Sequence, residues 1–143
     1  MTGLPSNKNL SRTSVRCAVI FGGVSANPQI EELRRGIDIL VATPGRLNDL
    51  VGQGFVDLAY VEIFVLDEAD RMLDMGFAQD IEHIAGETRW RKQTLLFSAT
   101  LEGDAIQDFA ERLLEDPVEV SANPSTRERK KIHQWYYRAD DLE

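Results

Sequence analysis

The sequence predicts an α/β domain, a parallel sheet with helices on both faces. Short runs of β-branched and aliphatic residues, typical of buried strands, alternate along the chain with helical segments. Strands and helices in alternation form βαβ units, and such units build a parallel sheet. The composition, with 43% hydrophobic and 28% charged residues in a chain of 143, is that of one globular domain.

Each predicted element has a local signal in the sequence. Strands are predicted at residues 15–21, 37–42, 61–66, 93–97 and 118–120, and helices at residues 28–35, 44–51, 78–85 and 106–114. Asn27–Pro28 and Thr43–Pro44 are cap-then-proline pairs that begin the first two helices. The last helix shows the clearest apolar stripe, and Pro117 ends it.

The two ends of the chain have a different character. Residues 1–14 are polar, with Gly3 and Pro5, and predict a flexible N-terminal arm. Residues 121–131 are linker-like, and residues 132–138 return to strand character.

Charge and composition exclude several classes of protein. The net charge of −8, from 24 acidic and 16 basic residues, argues against a protein whose whole surface adheres to nucleic acid, although it allows a local site. No apolar run approaches the roughly 20 residues that span a bilayer, and the N-terminus has no signal-peptide core. Cys17 is the single cysteine, so no disulfide framework exists and a cytoplasmic location is expected.

Polar clusters follow three of the predicted strands, at the edge where ligands bind to parallel sheets. One contains Asp67, Glu68 and Asp70. Directly after a buried strand, Asp67 suits a magnesium ion held through water, and Glu68 could polarise an attacking water. The alternative is that these are exposed acids favoured at a helix N-terminus.

The other clusters could bind a phosphate backbone or support the acidic group. Thr43, Pro44, Gly45 and Arg46 form a helix N-terminus with bare amides and a guanidinium, which suits a phosphodiester, although an ordinary capped helix explains them as well. Gly22 and Gly23 allow close backbone approach. Ser98 and Thr100 could donate hydrogen bonds to Asp70, or simply cap a strand end.

Taken together, these motifs resemble those of one family. VLDEAD at 65–70, SAT at 98–100, TPGR at 43–46 and GG at 22–23 occur in the order found in DEAD-box RNA helicases. With RMLDMGF at 71–77 and LLFSAT at 95–100, the resemblance covers residues 15 to about 143. It implies the first RecA-like domain of a bacterial ATP-dependent RNA helicase, which binds ATP with Mg²⁺ and grips single-stranded RNA by its backbone.

The resemblance also implies a role for each cluster. Asp67 and Glu68 would serve the metal and the hydrolytic water. Asp70, Ser98 and Thr100 would couple the state of the nucleotide to strand separation. Contacts to RNA would come from Gly22, Gly23, Thr43, Pro44, Gly45 and Arg46.

The sequence departs from the family pattern in what it lacks. No Gly-Lys pair occurs in the 143 residues, so the phosphate-binding loop G-x-x-x-x-G-K-[ST] is absent. The adenine-reading segment, the PTREL-type motif and the second domain with its arginine finger are absent as well. The chain therefore resembles a truncated domain: a partial RecA-like domain at 15–120, then the connector and first strand of the second domain at 121–143. We expect no ATPase activity, no tight binding of ATP or Mg²⁺, and RNA binding that is weak or lost.

Truncation has a structural consequence. In the RecA-like fold the phosphate-loop strand lies beside the strand that carries SAT, so its absence leaves an edge with unpaired backbone groups. Either the five remaining strands close up into a flavodoxin-like sheet, or two copies pair edge to edge, and we favour self-association.

Two other interpretations stay open. Residues 15 to about 60 resemble one bacterial branch of the family and residues 61–143 another, which suggests a recombinant of two members. The chain would then be a designed or recombined folding module that carries the motifs as passengers. A protein-interaction domain that uses the acidic surface is the third interpretation.

Overall fold

The computed structural model describes residues 14–121, which form four strands and five helices, with two successive helices between the third and fourth strands. The strands are β1 (Cys17–Ile20), β2 (Ile39–Ala42), β3 (Ile63–Leu66) and β4 (Gln93–Leu96). The helices are α1 (Asn27–Leu33), α2 (Pro44–Gly52), α3 (Ala69–Asp74), α4 (Ala78–Glu87) and α5 (Asp104–Leu113). The predicted arm, apart from Ser14, and the predicted strand at 132–138 lie outside the described residues, as does nearly all of the linker.

The strands form two separate parallel ladders. β1 pairs with β2 from Cys17 opposite Ile39, and β3 pairs with β4 from Ile63 opposite Gln93. Within residues 14–121 no ladder joins β2 to β3, and a cleft of ≈ 990 Å³ lies between them. The α/β class with parallel strands is thus confirmed, but the described strands have not closed up into one sheet, because nothing in this range lies between β2 and β3 to pair with both.

The fifth predicted strand, at residues 118–120, is irregular. Val118 and Val120 are 89% and 82% exposed. A strand persists by pairing with a neighbour, and these residues have no ladder partner in the described part of the chain.

The helices cover one face of both ladders. All five helices contribute to hydrophobic clusters that include Ile20, Leu40, Ala42, Phe64, Leu66 and Leu96 from the strands. Side chains alternate across a strand, so the intervening residues point to the opposite face. There Val19, Ile39, Val41, Ile63 and Val65 are 49–55% exposed. Within residues 14–121 all five helices therefore pack on the same side of the two ladders.

Helix α4 joins the two halves of the core. Ile81 and Ala85 pack in the cluster around Phe109, whereas Ile84 packs in the cluster around Leu50. A polar contact reinforces this link, because Asn48 Nδ2 of α2 donates to the Asp80 carboxylate at 2.9 Å.

Helix α3 has no counterpart among the predicted helices. It is six residues long, and two residues separate it from the end of β3. A helix of this length presents too few apolar positions for a periodic signal. None of the helices in residues 14–121 is both long enough and apolar enough to traverse a bilayer.

Candidate functional site

Backbone hydrogen bonds hold the DEAD segment against the SAT segment. Phe97 donates its N–H to Leu66 O at 2.8 Å, and Ala69 donates to Phe97 O at 3.0 Å. These bonds continue the β3–β4 ladder beyond the last strand residues. The polar residues that follow β3 and β4 therefore lie close together at the carboxyl edge of this ladder.

Asp70 and Thr100 are in direct contact. Thr100 Oγ1 donates to Asp70 Oδ2 at 3.2 Å, and Ser98 Oγ donates to Thr100 O at 2.6 Å. Partial desolvation raises the pKa of Asp70, but hydrogen bonds from the Arg71 N–H and the Thr100 hydroxyl outweigh it, so the pKa lies below its ordinary value. The cluster keeps Asp70 ionised and oriented.

Asp67 and Glu68 stay exposed to solvent. Glu68 adopts a left-handed conformation with φ 52° and ψ 47°, which is uncommon for a residue other than glycine. Asp67 Oδ1 accepts the Glu68 N–H at 2.9 Å and stabilises this turn. The Glu68 carboxylate lies 3.7 Å from the Arg71 guanidinium, and both side chains are about two-thirds exposed.

This arrangement fits a magnesium ion only when phosphates complete its coordination. Across residues 14–121 no three His, Cys, Asp or Glu side chains converge to hold a metal ion. Asp67 uses one carboxylate oxygen for the Glu68 N–H, which leaves the other for a metal-bound water. Mg²⁺ is commonly held by one or two carboxylates together with substrate phosphates. The donor set therefore fits a metal–nucleotide complex rather than a free ion.

Arg46 connects the GG turn to helix α2. Its Nη2 donates to Val24 O at 2.8 Å and its Nη1 to Gln29 Oε1 at 3.2 Å. Gln29, only 7% exposed, exchanges hydrogen bonds with the backbone of Phe21. The structure thus brings the GG and TPGR segments together, and it uses the guanidinium of Arg46 to do so.

The glycines at this end leave open space. A Cβ atom added to Gly22, Gly23 or Gly45 would meet no heavy atom within 4 Å. Only Gly23, with φ +79°, needs glycine for its own conformation. At Gly22 and Gly45 the free volume above the backbone is available to a ligand.

The predicted residues form two clusters instead of one. Asp70, Ser98 and Thr100 are connected, and so are Arg46 and the GG turn, but no side-chain hydrogen bond within residues 14–121 joins one group to the other. Gln29 was missed by the sequence analysis. Nothing in the sequence marks it, because a glutamine on a helix is ordinary until its buried contacts are seen.

Comparison with known proteins agrees with this geometry. The family model described as DEAD/DEAH box helicase matches residues 6–109. The chain belongs to the DEAD/DEAH box helicase family. The resemblance of the motifs is thereby confirmed, and the chain is a fragment of bacterial type from the first domain.

The family relatives are much longer than this chain. It is 73% identical over 131 residues to the ATP-dependent RNA helicase SrmB of Escherichia coli, and 58% identical to SrmB of Haemophilus influenzae. In both cases the match covers 92% of this chain but 30% of the relative.

Solved structures of DEAD-box proteins share the fold. A hypothetical ATP-dependent RNA helicase from Sulfolobus tokodaii matches with a TM-score of 0.71 and 41% identity, over 76% of this chain and 32% of that chain. A DEAD box protein from Methanococcus jannaschii matches with a TM-score of 0.66 and 41% identity, over 72% of this chain and 28% of that chain. The RecA-like character of the fold is confirmed.

Proposed function

We propose that this chain supplies the metal-facing and RNA-facing segments of an ATP-dependent RNA helicase and does not hydrolyse ATP by itself. The supporting observation is the hydrogen bond from Thr100 to Asp70, which connects the segment after β4 to the segment after β3. If nucleotide binding moves Asp67 or Glu68, this hydrogen bond would transmit the movement to the SAT segment at residues 98–100. Asp70, Ser98 and Thr100 are the coupling residues in this proposal.

Asp67 and Glu68 act on the nucleotide. Asp67 would hold Mg²⁺ through water, and Glu68 would polarise the water that attacks the terminal phosphate. Both carboxylates are solvent-exposed at the carboxyl end of the β3–β4 ladder, where a ligand can reach them. Mg²⁺ would supply the charge that stabilises the phosphoryl group during transfer.

The given sequence contains no motif that would bind the ATP phosphates for hydrolysis. Without a Gly-Lys pair, no backbone cradle or lysine holds the β- and γ-phosphates. An arginine finger alone can contribute roughly 10³–10⁵ in rate, so losing the loop and the finger together removes useful hydrolysis. ATP and Mg²⁺ are then bound weakly at most.

A steady-state ATPase assay with single-stranded RNA tests this proposal. We expect phosphate release equal to that of an Asp67→Asn, Glu68→Gln double variant, which serves as the background. RNA-stimulated release that the parent shows and the double variant lacks would refute the proposed inactivity. Calorimetry with a non-hydrolysable Mg²⁺–ATP analogue separates binding from hydrolysis.

RNA contact is proposed at the GG and TPGR segments. Bare amides at the start of α2 and the open space at Gly22 and Gly45 suit a phosphodiester backbone. Gly45→Ala is the informative variant, because its methyl group meets no protein atom but would meet a bound backbone. We expect weak, salt-sensitive RNA binding that this variant reduces further.

The second candidate is a folding module in which the helicase motifs are present but bind neither nucleotide nor RNA. The internal hydrogen bonds of Arg46 favour it, because this guanidinium is already engaged by Val24 and Gln29. The recombinant origin suggested by the two branches belongs to this candidate. It predicts RNA binding that Gly45→Ala leaves unchanged, since no ligand occupies the space above the helix.

Self-association is proposed through the outer edge of β4. Among residues 14–121, β4 has a ladder partner on one side only. An uncovered parallel edge is a template for a second chain.

A cytoplasmic location is also proposed, since Cys17 forms no disulfide.

A further inference from the structure

One buried polar side chain beside the GG turn has no role in the function proposed above. Gln29 lies on helix α1 and is only 7% exposed. Burying an amide group costs free energy unless hydrogen bonds replace those that it made to water. The partners of Gln29 therefore show which part of the molecule this side chain holds in place.

The Gln29 amide binds the backbone at the point where strand β1 ends. Its Oε1 accepts the Phe21 N–H at 3.2 Å, and its Nε2 donates to Phe21 O at 3.1 Å. Phe21 directly follows Ile20, the last residue of β1 in the ladder with β2. One side chain from α1 thus satisfies both backbone polar groups of Phe21, the residue before the two glycines.

Arg46 connects the same amide to the far side of the turn. Gln29 Oε1 also accepts a hydrogen bond from Arg46 Nη1 at 3.2 Å, and Nη2 of the same guanidinium donates to Val24 O at 2.8 Å. A guanidinium is planar, so its donors keep a fixed relation to one another. Gln29 and Arg46 therefore form one unit that fixes the backbone at Phe21 and at Val24.

The two residues between these fixed points present free N–H groups. Within residues 14–121 neither Gly22 nor Gly23 donates its N–H to a backbone carbonyl. Both residues are exposed, and a Cβ atom added to either would meet no heavy atom within 4 Å. Successive backbone N–H groups that point away from the protein bind anions. Donors that are already fixed lose less conformational freedom when the anion binds, which raises affinity.

We propose that Gln29 is a positioning residue for RNA: together with Arg46 it holds the GG turn so that the N–H groups of Gly22 and Gly23 meet a phosphate of the RNA backbone. Gln29 itself touches no RNA. An amide suits this role because it donates and accepts at the same time, as Phe21 requires. This inference rests on the RNA contact proposed above and identifies the residue that preorganises it.

Gln29→Met tests the role with a side chain of similar length that makes no hydrogen bonds. We expect a labelled single-stranded oligouridine to bind about tenfold more weakly in fluorescence anisotropy, since a hydrogen bond to a charged phosphate contributes about that factor. Amide exchange at residues 22–25 should become faster. Gln107→Met on α5 is the matched control, because Gln107 is an exposed helical glutamine that donates to Leu101 O. It should bind the RNA like the parent.

Gln29→Glu tests the donor alone, because the two side chains have the same shape. An ionised carboxylate accepts the Phe21 N–H but cannot donate to Phe21 O, whereas a protonated carboxyl can. The Arg46 guanidinium contacts this position and favours the ionised form. The affinity for oligouridine, relative to the parent at the same pH, should be low at neutral pH. It should recover as the pH falls through the pKa of the introduced carboxyl, which its NMR chemical shift reports.

Circular dichroism at each pH restricts the comparison to folded protein, so a change in stability alone does not alter the measured affinity. If the parent binds RNA and Gln29→Met binds equally well, the proposal is overturned. A deficit in Gln29→Glu that is the same at every pH would overturn it too, because the donor would then have no role. A parent that binds no oligouridine would refute the RNA contact itself, which is a different result from a parent that binds and variants that match it.

Discussion

Arg46 Nη2 donates to the carbonyl oxygen of Val24 at 2.8 Å, so a side chain on helix α2 fixes the backbone of the GG turn. This bond gives Arg46 a structural role besides any contact with RNA. A loss of RNA binding in an Arg46 variant would therefore have two explanations. Gly45→Ala avoids the ambiguity, because it leaves the hydrogen bonds of Arg46 in place.

Arg46→Ala is predicted to destabilise the protein and to loosen the GG turn. Hydrogen bonds that involve a charged group contribute about 1.5–3 kcal/mol, and we expect the lower end because Arg46 is only partly buried. Urea denaturation measures the loss, and faster amide exchange at residues 22–25 locates it. Arg34→Ala is the matched control, since the Arg34 side chain is 62% exposed and pairs with Glu31, three residues before it in the chain. It should change stability by less than about 0.5 kcal/mol.

Asp70 is predicted to stabilise the fold at neutral pH and to lose this effect in acid. Its pKa in the folded state lies below the ordinary value of 3.8. The contribution is therefore complete well above 3.8 and disappears as the pH falls through that value toward the lower folded pKa. The difference in unfolding free energy between the parent and Asp70→Asn should be constant at neutral pH and shrink below about pH 5.

Thr100→Val should raise the pKa of Asp70 toward its ordinary value, because it removes a hydroxyl donor. Thr100→Ser keeps the donor and should restore the low pKa. Carboxyl chemical shifts measured during a pH titration report both variants. An unchanged pKa in Thr100→Val would show that the backbone N–H of Arg71 is sufficient.

Phe109→Ala is predicted to be severely destabilising. Phe109 is fully buried at the centre of one hydrophobic cluster, and such truncations cost about 3–5 kcal/mol. Whole domains have only about 5–15 kcal/mol of stability, so much of the variant should be unfolded. Urea denaturation followed by circular dichroism measures the change. Trp90→Ala, at a residue that is 73% exposed, should differ little from the parent.

Thr94→Pro is predicted to weaken self-association. Gln93 and Phe97 direct their N–H groups to carbonyls on the β3 side, so Thr94 between them directs its N–H outward. Proline removes this donor but leaves the β3–β4 bonds, as edge strands permit. Sedimentation should show a mass that rises with concentration for the parent and an association constant about tenfold lower for the variant.

Thr94→Val controls for the loss of the threonine hydroxyl, which accepts a hydrogen bond from Arg91. It keeps the outward N–H and should associate like the parent. A parent mass that is monomeric at every concentration would contradict self-association itself.

The order of the elements could be predicted because its signals are local. Pro28 and Pro44 mark the starts of α1 and α2, and the spacing of Ile106, Phe109 and Leu113 marks α5. Contact between Asp70 and Thr100 was also foreseeable, since both follow parallel strands and the carboxyl ends of such strands share an edge. Helix α3 and the contacts of Gln29 were not, because a single turn or a single polar residue carries no pattern.

The sequence by itself determined the α/β class and the DEAD-box motifs, because each depends on consecutive residues or on the spacing of apolar residues along the chain. Only the tertiary structure decided that the four strands form two ladders, that β2 and β3 enclose a cleft, and that one face stays open. Strand pairing depends on which segments lie side by side, and the hydrogen bonds that fix it join residues far apart in the chain. The pattern of Ile39 and Val41 is that of a buried strand, yet both are about half exposed because no helix in residues 14–121 packs on their side of the sheet.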